Sequence, residues 1–199
     1  MLDLNCNLAL GYNHDAFINS KMGTQVYDRF LQGKVDCTSV PPSDYADMLR
    51  EIVMPIAPEG MSQVFLSDNS ATSANDAAIS VALFSYAMKH DKNYKNLCVL
   101  GHEGSSHGNS IATISCSDLS VQSDAPTYKW PIAPLPKVKY PYTHHTVENE
   151  AEELRCLNET KRIIHARKAA DNDVGAIIVE PITAFGNRLA TPLFYKKLR

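Results

Sequence analysis

Apolar residues recur at helical spacing near the start of the chain. Tyr45, Met48, Leu49, Ile52 and Val53 share one side of a short predicted helix, with Ser43 placed to cap it and Pro55 and Pro58 to end it. The pattern then changes character. Residues 63–66 (QVFL) form a short apolar run expected to be a buried strand. The small polar turn SDNSATS follows, and ANDAAISVALFSYAMKH predicts a helix with Ile79, Leu83 and Tyr86 on one face. Ser73 and Asp76 have the spacing of a capping box at its start. NLCVL (96–100) predicts a second strand, and EGSSHGNS a loop. The run APTYKWPIAPLPKVKYPY, punctuated by Pro126, Pro131, Pro134, Pro136 and Pro141, predicts an extended surface connector. A helix over 147–168 starts acidic and ends basic, as the helix dipole favours. VGAIIV (174–179) is then expected as a buried strand that stops at Glu180-Pro181.

Strand and helix alternate in this reading, and strands that are apolar throughout rather than alternating imply a sheet covered on both faces. The fold class is α/β. Ligands of such sheets bind at the carboxyl ends of the strands, where three polar turns fall: 67–73, 102–110 and 180–188. The first runs into a helix N-terminus, whose free N–H groups suit a phosphate; ordinary capping by Ser70, Thr72 or Ser73 explains the same residues. Neither a Walker-type nor a Gly-x-Gly-x-x-Gly motif is present. The second turn contains Gly104-Ser105-Ser106-His107-Gly108, which spells the Gly-x-Ser-x-Gly of a hydrolase nucleophile elbow and raises Ser106 as a candidate nucleophile.

Composition narrows the partners. With 44% hydrophobic residues over 199 positions the chain can bury a core, and a net charge of -3 with mixed signs offers no footprint for nucleic acid or an anionic membrane. Small molecules or protein partners are expected. The five cysteines are scattered and never spaced Cys-x-x-Cys, so neither a disulfide framework nor a zinc site is expected. No metal site is assigned: His144-His145 lacks a third ligand nearby, His102 and His107 are a weak pair, and His14 and His165 read as surface or packing residues. Trp130 reads as a packing anchor in its Pro-rich setting. No targeting segment is visible at the N-terminus, and no apolar run reaches membrane-spanning length.

Several stretches together resemble one family. NSATSANDAAI (69–79) resembles the phosphate-binding turn and following helix of class III pyridoxal-phosphate aminotransferases. APEGMSQ (57–63) and KWPIAPLPKVKYP (129–141) are similar to the eukaryotic 4-aminobutyrate aminotransferase branch, and LGYNHDAF, GSSHG and GAIIVEPI follow in the family's order. The resemblance implies a fold-type I aminotransferase, with an N-terminal segment over 1–60 and the first, incomplete part of the large cofactor-binding domain over 61–199.

Residue by residue, the resemblance places Ser70 and Ala71 where backbone N–H groups hold the cofactor phosphate, with Thr72 adding a hydroxyl. It places Ser106 where the family has an aromatic ring stacked on the cofactor, so the serine marks a lost aromatic rather than a gained nucleophile. His107 and Glu180 match the family's residues. Asn109 stands in place of an Arg that binds the substrate carboxylate, and Phe185 in place of a Glu that pairs with a second substrate Arg. Pyridoxal 5'-phosphate is the implied cofactor. No iron–sulfur cluster is expected, because its Cys positions are here Asn69 and Thr72. The implied reaction moves the amino group of 4-aminobutyrate to 2-oxoglutarate in a mitochondrial homodimer. The Schiff-base Lys and its acid partner would lie beyond PLFYKKLR, so the chain is expected to be truncated and inactive alone. A non-catalytic paralogue that pairs with a complete subunit is the alternative, and a serine hydrolase using Ser106 the remote one.

Overall fold

The computed structural model describes residues 43–67, 70–118 and 126–199, and the chain divides into two compact units, Met1–Asp68 and Asn69–Arg199. In the first unit the expected helix forms as α1, Tyr45–Val53. Its cap position is Asp44 rather than Ser43, and a single 3-10 turn, Met54–Ile56, closes it around Pro55. Residues 63–66 are not a strand: no described strand pairs with them, and Phe65 is 78% exposed. An apolar run becomes a strand only when a neighbour takes up its backbone hydrogen bonds, and the run itself does not say whether that neighbour exists.

The second unit opens with α2, Ala71–His90, in which Ile79, Leu83 and Ala87 are buried and Tyr86 partly so. Its cap is Ser70, whose hydroxyl accepts the Ser73 N–H at 3.1 Å. The Ser73–Asp76 box therefore does not form. Asp76 is occupied elsewhere, as described below.

Strand β1, Cys98–His102, is buried at every position. It pairs in parallel with β2, Ile132–Ala133, on one side and with β3, Val174–Ile177, on the other, in the order β2-β1-β3. The Pro-rich segment is thus not a surface connector: its middle is β2, and Pro131, Ala133, Leu135 and Pro136 are buried. Proline lacks an N–H but keeps its carbonyl. Pro131 and Ala133 accept the N–H groups of Gly101 and Glu103 at 3.0 and 2.9 Å, so an edge position tolerates the prolines that a central strand would not. Strand β3 is half-buried rather than buried, with Ile177 37% exposed, because among the described strands it too is an edge.

Two apolar clusters flank the sheet. Val99, Leu97 and Cys116 meet the inner face of α2, with Trp130 packed against them as an anchor. On the other side lies α4, Thr146–Ala169, joined by α5, Pro192–Leu198, where Leu135, Cys156, Ala190 and Phe194 are buried together. Full burial of a side chain such as Phe194 contributes about 1.5–3 kcal/mol. The buried stripe of α4 is partly polar, and each polar group has a task. Asn149 holds the backbone of Lys139 in both directions, and Glu153 accepts the N–H and hydroxyl of Thr191, the cap of α5, at 2.9 Å each. Cys98, Cys116 and Cys156 are free and buried, their thiols pushed up to about 11, 12 and 12 by loss of solvent; Cys6 and Cys37 lie outside the described residues.

Candidate functional site

The turn after β1 is held from beneath. Asp118 accepts the Gly104 N–H at 2.8 Å, the buried Ser105 hydroxyl donates to the His102 carbonyl at 2.6 Å, and Ser117 accepts the His107 N–H at 2.9 Å. Ser110 then caps the short helix α3, Ile111–Ser115, through a reciprocal capping box with Thr113, a helix that the Gly- and Ser-rich composition concealed.

Both glycines of GSSHG are junctions. Gly104 has φ +77°, and a Cβ there would lie 2.6 Å from the carbonyl oxygen of Phe185. Its own carbonyl accepts the Phe185 N–H at 2.9 Å, which fastens the second turn to the third. Gly108 has φ +133°, and a Cβ there would lie 2.5 Å from Thr72 Oγ1, so the second turn also presses on the first turn of α2. Three bonds reinforce this contact: Asn109 N–H to Thr72 Oγ1 at 3.4 Å, Asn75 Nδ2 to the His107 carbonyl at 2.8 Å, and the Ser110 hydroxyl to Asp76 at 2.7 Å. Glu180 completes the assembly, one oxygen accepting both the Ser106 and Ala184 N–H groups at 3.0 and 2.9 Å. A backbone that must approach another backbone closely requires glycine, which accounts for the Gly-x-x-x-Gly spacing without a nucleophile. The sequence had placed three turns at strand ends; within the second unit the structure brings 70–73, 102–110 and 180–188 to one place.

Among the described residues Ser106 has no catalytic partner. Its backbone N–H binds Glu180, and the neighbouring imidazole, His107, is buried with its Nε2 unpartnered. Strand β1 runs through His102, closer to the motif than the apolar run NLCVL indicates, yet the next helix begins only at Ile111, so no sharp strand-to-helix elbow carries the serine. His102 is likewise buried, its Nδ1 3.3 Å from the Ile178 carbonyl and its Nε2 unpartnered. Burial pulls both imidazoles below the usual 6.5, opposed at His107 by the negative charge of Glu180 and at His102 by the Ile178 carbonyl. Both are neutral near pH 7.

At the start of α2, Ser73 and Ala74 donate to Ser70, while the N–H groups of Ala71 and Thr72 have no acceptor among the described residues. Two N–H groups without an acceptor among the described residues, at the N-terminus of a 20-residue helix, suit an anionic group such as a phosphate. Of the other positions raised by the sequence, Asn109 is exposed and Phe185 half-buried. Asn69 lies outside the described residues. Sequence reasoning missed Asn75, Asp118 and Thr183 and gave Asp76 only a capping role, although the adjacent Asn75 and Asp76 in α2 were a visible signal. Among the described residues no group of three His, Cys, Asp or Glu is placed to hold a metal. His145 faces Glu148 at 3.1 Å, and no described helix is long and apolar enough to cross a membrane.

The family described as Aminotransferase class-III matches residues 2–199. A probable mitochondrial 4-aminobutyrate aminotransferase of Caenorhabditis elegans is 33% identical over 215 residues, covering 97% of this chain and 44% of its own length. The mitochondrial 4-aminobutyrate aminotransferase of Mus musculus is 30% identical over 223 residues, covering 100% and 44%. Among solved structures, a lysine aminotransferase from M. tuberculosis superposes with a TM-score of 0.65 at 18% identity over 86% of this chain and 40% of that one, which supports the fold. The chain thus spans less than half the length of the relatives it matches.

Proposed function

The chain belongs to the class III aminotransferases, and from that premise we propose that it forms the phosphate- and ring-holding part of a pyridoxal-phosphate site in an enzyme of the 4-aminobutyrate aminotransferase type. The observation that carries this reading is that the second turn, clipped to the third, packs on the N-terminus of α2, where the Ala71 and Thr72 N–H groups have no acceptor among the described residues. Bound pyridoxal phosphate supplies an electron sink for amino transfer between an amino acid and a 2-oxo acid. The chain's own residues bind and orient it. Ser70, Ala71 and Thr72 direct their backbone and hydroxyl groups at the phosphate, and the dipole of α2 favours its charge. Gly108 keeps Thr72 against the second turn, so that Ser106 and His107 face the same ligand, and Glu180 fixes the height of Ser106 through its backbone N–H. Residues 61–199 belong, in this reading, to the large cofactor-binding domain and 1–60 to an N-terminal segment. The relatives named as mitochondrial support a mitochondrial location, and a homodimer is the assembly the resemblance favours.

The phosphate role of α2 has a specific test. Ala71 is the first helical residue, where proline is tolerated, and Ser70 before it is already extended at φ -148° and ψ 148°. Ala71→Pro therefore removes one N–H while leaving the helix intact. Titrated with pyridoxal phosphate and followed by absorbance, the variant binds about tenfold more weakly than the wild type, a loss of about 1.4 kcal/mol. Binding of pyridoxal, which has no phosphate, stays the same. Equal weakening of both ligands would count against the assignment.

A further inference from the structure

We infer that Arg188 is the cation that receives a carboxylate of the amino or oxo acid substrate, in place of the positive charge that Asn109 does not provide. The inference rests on the aminotransferase reading, since such substrates carry at least one carboxylate. The three turns that converge on the site contain one Arg or Lys between them, and it is Arg188.

Its surroundings present the guanidinium in a fixed position. Gly186 and Asn187, at φ +88° and +46°, reverse the chain. The Arg188 N–H then donates to the buried Thr183 hydroxyl at 2.9 Å, and the Arg188 carbonyl accepts the Thr183 N–H at 3.0 Å. Within the same loop, the Phe185 N–H to Gly104 carbonyl bond ties Arg188 to the turn that carries Ser106 and His107. The guanidinium is half-buried, and only Nη1 is bonded, to Glu103 at 3.2 Å; Nε and Nη2 have no acceptor among the described residues. By contrast, Arg155 with Glu152 and Arg162 with Glu159 each use two nitrogens along α4, and Lys139 pairs with Glu148. A planar guanidinium with an unused edge, held by a closed loop, is suited to a bidentate carboxylate. Glu103 is the resident anion that a substrate carboxylate would displace.

The test uses the full chain and glutarate, a dicarboxylate that cannot undergo amino transfer, with its neutral diamide as control. Calorimetric titration of Arg188→Gln gives a dissociation constant for glutarate about tenfold or more above the wild type, and Arg188→Lys falls between. Glu103→Gln, which removes the competing carboxylate, binds glutarate at least as tightly as the wild type, and the diamide shows none of these differences. Pyridoxal phosphate is titrated separately. If it fails to bind any form while glutarate still depends on Arg188, the inference stands and the cofactor reading falls. If it binds normally while Arg188→Gln leaves glutarate affinity unchanged, the inference is overturned and the cofactor reading survives. Weaker glutarate binding in Glu103→Gln would also overturn it, because the carboxylate would then be supporting the ligand rather than competing with it.

Discussion

Gly104 and Gly108 are four residues apart in one turn, both at positive φ and both pressed against a neighbouring segment, yet they face different things. Gly104 meets backbone, the carbonyl of Phe185, on a loop whose own hydrogen bonds leave it nowhere to go. Gly108 meets a side chain, that of Thr72, at the exposed end of a helix. The first junction is rigid and the second adjustable. A site assembled in this way keeps the third turn fixed to the second and leaves the turn at the start of α2 open to tuning.

The comparison is sharpest at Gly104. Gly104→Ala places a methyl group against a backbone oxygen at an unfavourable φ, and a loss of about 3 kcal/mol is expected, read as a shifted midpoint in urea denaturation. Gly108→Ala should cost less, about 2 kcal/mol, and part of that should return in a Thr72→Ala background, because the shorter side chain removes the hydroxyl and methyl from the contact. Equal costs, with no coupling to Thr72, would erase the distinction between the two junctions.

Glu180→Gln keeps the shape of the clip between the second and third turns but removes its charge, so the loss is expected to be about 1 kcal/mol. Hydrogen exchange at Ser106 and Ala184 should report it directly. The buried imidazoles add a pH dependence. Both His102 and His107 have folded-state values below 6.5, so the unfolded chain takes up protons first as pH falls. Stability is then at its plateau above about pH 6.5 and declines as pH falls through the folded values. His102→Phe should reduce that acid sensitivity in thermal melts, and an unchanged slope would remove His102 from the account. The smallest effect belongs to Ser106→Ala, within about 0.5 kcal/mol, since among the described residues only the backbone of Ser106 is hydrogen-bonded. Fluorophosphonate labelling should be weak in the wild type and the same in this variant; strong labelling lost in the variant would revive the nucleophile reading.

Local pattern and residue identity were sufficient for a large share of this protein. The 3.6-residue spacing of Ile79 and Leu83 marked α2, the uninterrupted run of Leu97 to Leu100 marked β1, and the charge gradient over 147–168 marked α4, because each reports a face or segment that must leave water. The order of strands and helices set the α/β class, and the motifs in sequence pointed to the family. Outcomes that depend on a neighbour were decided only by the tertiary structure. Whether QVFL becomes a strand, whether a Pro-rich run is buried as β2, and whether β3 is covered all turn on which backbone lies alongside. Hydrogen bonds across a sheet join residues far apart in the chain, so no local pattern encodes them. The same holds for the site. The sequence located three turns, but only their convergence showed that Gly104 and Gly108 are points of close approach. The fold likewise set Glu180 as a clip and placed Arg188 beside Glu103.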